Sequence, residues 1–270
     1  MNAGHRGFLA VLALSLAALT VACSSGEEAG GEGASGGASV APSTPGGPPP
    51  VYVAVGASET AGIGAEVPLR DAWPRVLYRT AMPENTIFIN VGIPGATVTQ
   101  ALNEELGMAL EQSPTVVTVW LNVNDIIAGV TAPDYERDLG TLVHELRRGG
   151  STRVLVANAP PLDRLPAYLA CRPDPPLAAP PCRLGSDLPP PQVVNGLVED
   201  FNAAAARVAE REGAHLVDLH AVGMAARQAG VEQALVSNDG FHPNSGGHQA
   251  VATAFAEVLQ RTGPLGAGGG

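Results

Sequence analysis

Lysine is missing from this sequence. All 15 basic residues are arginine, set against 26 Asp and Glu, for a formal net charge of −11. No basic stripe can be drawn from that balance, which argues against nucleic acid as a partner, because phosphate binding draws its affinity from clustered Lys and Arg. Aromatic residues are scarce at 4%, yet 45% of residues are hydrophobic, enough for one or two domains with a real core. The uncharged run over residues 7–22 is shorter than the roughly twenty residues that span a bilayer as a helix. Cysteine is nearly absent, with three in 270 residues.

What is present begins with that N-terminal run. His5-Arg6 forms a short positive region ahead of it, the pattern of a signal peptide over residues 1–22. The run ends Leu19-Thr20-Val21-Ala22-Cys23-Ser24-Ser25, which resembles a bacterial lipoprotein lipobox; Thr20 stands where that motif prefers Leu or Val. The resemblance implies lipidation of Cys23, an exported protein and attachment to the membrane surface of a bacterial cell envelope through the lipid, with plain secretion as the alternative. Gly, Ser, Glu and Pro dominate residues 23–50, a composition that builds a tether and no fold. Cys171 and Cys182 then remain, in one proline-rich loop. In an exported protein they read as a disulfide, worth roughly 3 kcal/mol by loop-closure entropy. A zinc pair lacks nearby His or further Cys, and no metal site is expected.

From residue 51 the chain alternates short β-branched runs with helical spacing. Strands are expected at 51–56, 86–91, 115–121, 153–158 and 215–219, and helices near 72–82, 98–110, 133–148, 193–212 and 249–260. Residues 160–191 read as an irregular insertion and residues 263–270 as a loose tail. Such alternation implies a parallel sheet with right-handed crossovers and helices on both faces, with the site outside the carboxyl ends of the strands.

Four polar or glycine-rich segments fall at those ends. Gly56-Ala57-Ser58 follows the first strand, and a serine hydroxyl there needs a neighbouring base to become a nucleophile. Gly95 follows the second strand, where a backbone N–H can be approached closely. Asn124 follows the third and offers a side-chain amide. The last segment, Asp239-Gly240-Phe241-His242, sets an acid three residues before a histidine, so that Asp239 can orient the His242 ring as a general base. Taken singly, each has a bland reading: turn glycines, an Asn124-Asp125 helix cap, a surface histidine. His248 reads as structural.

Taken together, the four blocks resemble the SGNH (GDSL-type) hydrolase family over about residues 51–262. The resemblance implies a three-layer α/β/α, flavodoxin-like parallel five-stranded sheet. It makes Ser58 the nucleophile, His242 the base and Asp239 its orienter, with Ser58, Gly95 and Asn124 lining an oxyanion hole. It implies a monomeric serine esterase without metal or organic cofactor, acting on a small-molecule, lipid or carbohydrate ester. Two positions depart from the family pattern. Ala57 replaces the usual Asp, with weaker hydrogen bonding near the nucleophile as the expected consequence, and Asn122 replaces the usual Gly, with crowding of the oxyanion loop as the expectation. These departures carry the alternative of a non-catalytic surface lipoprotein that binds acylated glycans or lipids through a degraded site.

Overall fold

A computed structural model describes residues 47–177, 181–182 and 188–263. The expected signal peptide, Cys23, most of the tether and most of the C-terminal tail lie outside the described residues.

Five strands, β1 (Val51–Gly56), β2 (Ile87–Asn90), β3 (Val116–Trp120), β4 (Arg153–Ala157) and β5 (His215–Val217), form one sheet in the order β2-β1-β3-β4-β5. All pairings are parallel, with Val53 opposite both Ile89 and Val117, and Val117 opposite Val154. The strands are β-branched because both of their faces are covered, and successive residues divide between two cores. Val53, Val55, Val117, Val119, Val154 and Val156 point to one face. Helices α4 (Val98–Glu111), α6 (Ala132–Arg147) and α8 (Pro191–Glu212) cover it with Ala101, Leu139, Leu142 and Phe201. Tyr52, Ala54, Val116, Leu155 and Val217 point to the other face, where α3 (Trp73–Ala81) and α10 (Ser245–Arg261) supply Trp73, Leu77 and Phe255. The Trp73 and Phe255 rings stack there at 4.4 Å between centroids. The three-layer fold expected from the sequence is therefore present.

The chain winds from β1 out to β2 and then crosses back to β3. That reversal between β1 and β3 opens a crevice at the carboxyl ends of the two strands. The other helices collect at that end: α1 (Ser58–Ala61), α2 (Pro68–Asp71), α5 (Val123–Ile127), α7 (Pro166–Cys171) and α9 (Leu219–Gln228). A third apolar cluster of Val123, Ala159, Leu162, Tyr168, Val194 and Val198 lies there too, with Phe241 packed against it.

The structure corrects several expected boundaries. The insertion at 160–191 is not wholly irregular, because Pro166 starts α7 with a fixed φ and the missing N–H that a first helical turn tolerates. The fifth strand stops at Val217, where the Asp218 side chain caps α9 by accepting from Ala221 N. The last helix starts at Ser245 rather than 249, because Asn244 accepts from Gly247 N and caps it four residues early. Cys171 and Cys182 form the expected disulfide.

Candidate active site

Ser58 is the first residue of α1, immediately past β1, so its backbone N–H has no carbonyl of an earlier turn to reach. The turn that puts it there depends on Gly56. A Cβ at that position would lie 2.2 Å from Thr60 Oγ1 and 2.7 Å from the Trp120 carbonyl oxygen. The segment after β2 is drawn alongside, since Ile93 N donates to Gly56 O at 2.9 Å.

The histidine segment is a folded-back loop. Ser237 N donates to His242 O, Asn244 N donates to Leu235 O, and Val236 bridges Pro243. Within it the Asp239 carboxylate is saturated. Its Oδ1 accepts from Ser237 Oγ at 2.7 Å, Phe241 N at 2.8 Å and His242 N at 2.9 Å, and its Oδ2 lies 2.7 Å from His242 Nδ1. Partial burial acts to raise the Asp239 pKa, but these hydrogen bonds outweigh it and hold the group at about 2. An ionised carboxylate can only accept, so His242 Nδ1 carries the proton and Nε2 is left as an acceptor. Nε2 lies 2.9 Å from Ser58 Oγ, across 184 residues of sequence. Gly64 lets the two loops approach this closely: it has φ +92°, and a Cβ there would meet His242 Cβ at 2.8 Å and Pro243 O at 2.3 Å.

Asn124 does not sit in an open loop. It lies in the first turn of α5, and its Nδ2 donates to Ala96 O at 3.0 Å, tying it to the residue after Gly95. Asp125 beside it is buried and accepts from Val98 N, the first N–H of α4, through both oxygens at 3.1 and 3.3 Å. Burial lifts the Asp125 pKa to about 6 despite that bond. The cap anticipated for Asn124-Asp125 therefore serves a different helix from the one they begin. Gly95 has φ +83°, and a Cβ there would meet nothing within 4 Å.

Asn122 is buried with its Nδ2 donating to Ala157 O at 3.2 Å, so its amide is turned toward β4. Its φ of −175° is extended backbone that does not require the usual glycine. Ala57 is buried in the core, yet a carboxyl still reaches the turn before Ser58, from α4. Glu105 is 0% exposed, its Oε2 accepts from Gly56 N at 2.8 Å, and burial pushes its pKa up to about 7. Sequence reasoning missed it inside a long helical run. A signal was available, because Glu105 falls on the inward stripe of α4 with Val98, Ala101 and Ala109. Glu59 was missed as well. Its Oε2 lies 3.2 Å from Ser58 Oγ, so the serine hydroxyl has a second acceptor.

His248 is 0% exposed. Its Nδ1 accepts from Trp73 N at 3.2 Å, which leaves Nε2–H to donate to Ile63 O at 3.1 Å. Burial lowers its pKa; it acts as a neutral strut between α3, α10 and the loop after α1. Among the described residues no group of three or more His, Cys, Asp or Glu is arranged to hold a metal ion, and no helix is long and apolar enough to cross a membrane.

The sequence profile of the GDSL-like lipase/acylhydrolase family matches residues 54–250. Similar solved structures include a lipase/acylhydrolase from Enterococcus faecalis, at 18% identity and TM-score 0.59 over 79% of this chain and 96% of that chain. A phospholipase A1 from Streptomyces albidoflavus is similar at 18% identity and TM-score 0.58, over 79% of this chain and 99% of the other. The psychrotrophic esterase EstA from a Pseudoalteromonas species is similar at 17% identity and TM-score 0.56, over 78% and 97%. No curated protein matches the sequence.

Proposed function

This chain belongs to the GDSL-like lipase/acylhydrolase family, and from that premise we propose that it is a serine esterase in which Ser58, His242 and Asp239 act as a triad. The observation that carries the reading is the unbroken series Asp239 Oδ2–His242 Nδ1 at 2.7 Å and His242 Nε2–Ser58 Oγ at 2.9 Å. In this scheme Ser58 Oγ attacks the ester carbonyl while Nε2 takes its proton, and the tetrahedral oxyanion collects hydrogen bonds from Ser58 N, Gly95 N and Asn124 Nδ2. One such donor is typically worth about 10²–10³ in turnover. His242 then returns the proton to the departing alcohol, and water, activated by the same imidazole, hydrolyses the acyl-enzyme. The inward turn of the Asn122 amide and the Glu105 carboxyl under Gly56 support a working site over a degraded one.

Ser58→Ala tests this directly on short-chain aryl esters. The rate is expected to fall by about 10³-fold or more with the fold retained; an intact rate would rule the enzyme out. The lipobox-like stretch supports export and anchoring through Cys23. Expressed in a bacterial host, Cys23→Ser is expected to move the protein from the membrane to the soluble fraction, and continued sedimentation with membranes would refute the lipid.

A further inference from the structure

We infer that the cavity beside Ser58 takes an apolar arm of the substrate that carries a positive charge, an alkylammonium group on the ester, and that Glu59 selects it. The inference rests on the esterase reading above and assigns its substrate class. The cavity, open on one side, has a volume of about 130 Å³. An engineered apolar cavity of about 150 Å³ holds benzene, so the space here suits a group the size of a tert-butyl or a trimethylammonium. Its wall includes Val123, Phe241 and Pro243, sequence neighbours of Asn124 and His242, together with Trp120 and Leu162. Glu59, whose Oε2 lies 3.2 Å from Ser58 Oγ, belongs to the same wall.

Two carboxylates line this otherwise apolar space, and they differ. Glu232 is already paired with Arg227 at 2.7 Å. Among the described residues no Arg or His lies within ion-pair distance of Glu59, which leaves it the uncompensated charge on the wall. That charge works against ordinary ester hydrolysis, because the tetrahedral intermediate is itself negative and forms within a few ångströms of it. A substrate that brings a positive charge reverses the sign of the effect. An ammonium in the cavity meets Glu59 and the rings of Trp120 and Phe241, which attract cations, against a wall that is otherwise mostly aliphatic. A neutral alkyl arm matches the wall but leaves Glu59 opposed to the intermediate. An anionic arm is repelled by Glu59 and by a chain of net charge −11.

The test compares acetylthiocholine with its uncharged isostere, in which carbon replaces the quaternary nitrogen, following thiol release from the purified protein. The cationic ester is expected to have a kcat/KM about tenfold or more above the isostere at low salt. That ratio is expected to shrink toward one in Glu59→Gln, and to shrink in the parent protein as salt is raised. A parent ratio near one, or the same ratio in Glu59→Gln, overturns the inference. If p-nitrophenyl acetate is cleaved and neither thioester is, charge selection falls and the esterase reading stands. If none of the three is cleaved, both fall.

Discussion

Asp239 shows how much one side chain can hold in place. Its four hydrogen bonds serve two ends, since three of them fix the loop and the fourth fixes the tautomer of His242. Asp239→Asn keeps the size and some of the loop bonds. The new amide can donate to Nδ1, however, which favours the ring with its proton on Nε2, the wrong nitrogen for accepting from Ser58. Turnover is therefore expected to fall by about 10²–10⁴-fold, with a change in thermal midpoint of no more than a few degrees. Parallel measurement of kcat and melting temperature separates the two, and a rate equal to that of the parent would mean that another group orients His242. Held at about 2 by these hydrogen bonds, the Asp239 carboxyl is still ionised at mildly acid pH, so loss of activity there cannot be assigned to its protonation.

Helix α4 links the site to stability at the scale of an element. Its N-terminus is capped by Thr97 and Gln100, its first N–H is held by Asp125 of α5, and its inward stripe carries Glu105 to Gly56. Both acids are raised by burial, Glu105 from 4.5 to about 7 and Asp125 from 3.8 to about 6. For a raised acid the unfolded chain loses its proton first, so between the two pKa values the folded state binds more protons and stability falls as pH rises. For Glu105 the window runs from about pH 4.5 to 7, and the loss amounts to roughly 3 kcal/mol at most. Glu105→Gln cannot ionise and still offers Gly56 N an oxygen. Denaturation midpoints at pH 5 and pH 8 are expected to differ less in this variant than in the parent. Equal pH dependence in the two proteins would count against a titrating Glu105.

At the scale of the whole molecule, the cap over the carboxyl end of the sheet is stitched by a disulfide where the apolar cluster is smallest. Cys171 closes α7, and its partner Cys182 lies 11 residues on. Replacing both with Ala is expected to cost about 3 kcal/mol, a fall of roughly 6–12 °C in melting temperature at this chain length. Calorimetry of the double variant checks it, and an unchanged midpoint would mean that the ring adds nothing to the fold.

Much of the fold was legible in the sequence. The runs at 51–56, 115–121 and 153–158 are rich in valine, apolar on both faces and bounded by glycine or polar residues, and local chemistry of that kind determines strand and helix with little help from elsewhere. The alternation of those elements further implies a parallel sheet, and from the sheet follows the end at which a site must lie. Ser58, Gly95 and Asn124 were legible because each stands just past the end of a strand, and His242 because an acid precedes it by three residues in a turn. Glu59 and Glu105 were not, because a carboxylate in a helix looks the same whether it faces water or a buried turn. Only the packing of α4 beneath β1 made Glu105 an internal acid, and only the close approach of the loops after β1 and before α10 brought Ser58 to His242. Interactions over tens to hundreds of residues depend on the summed geometry of every intervening element, and no local pattern carries that information.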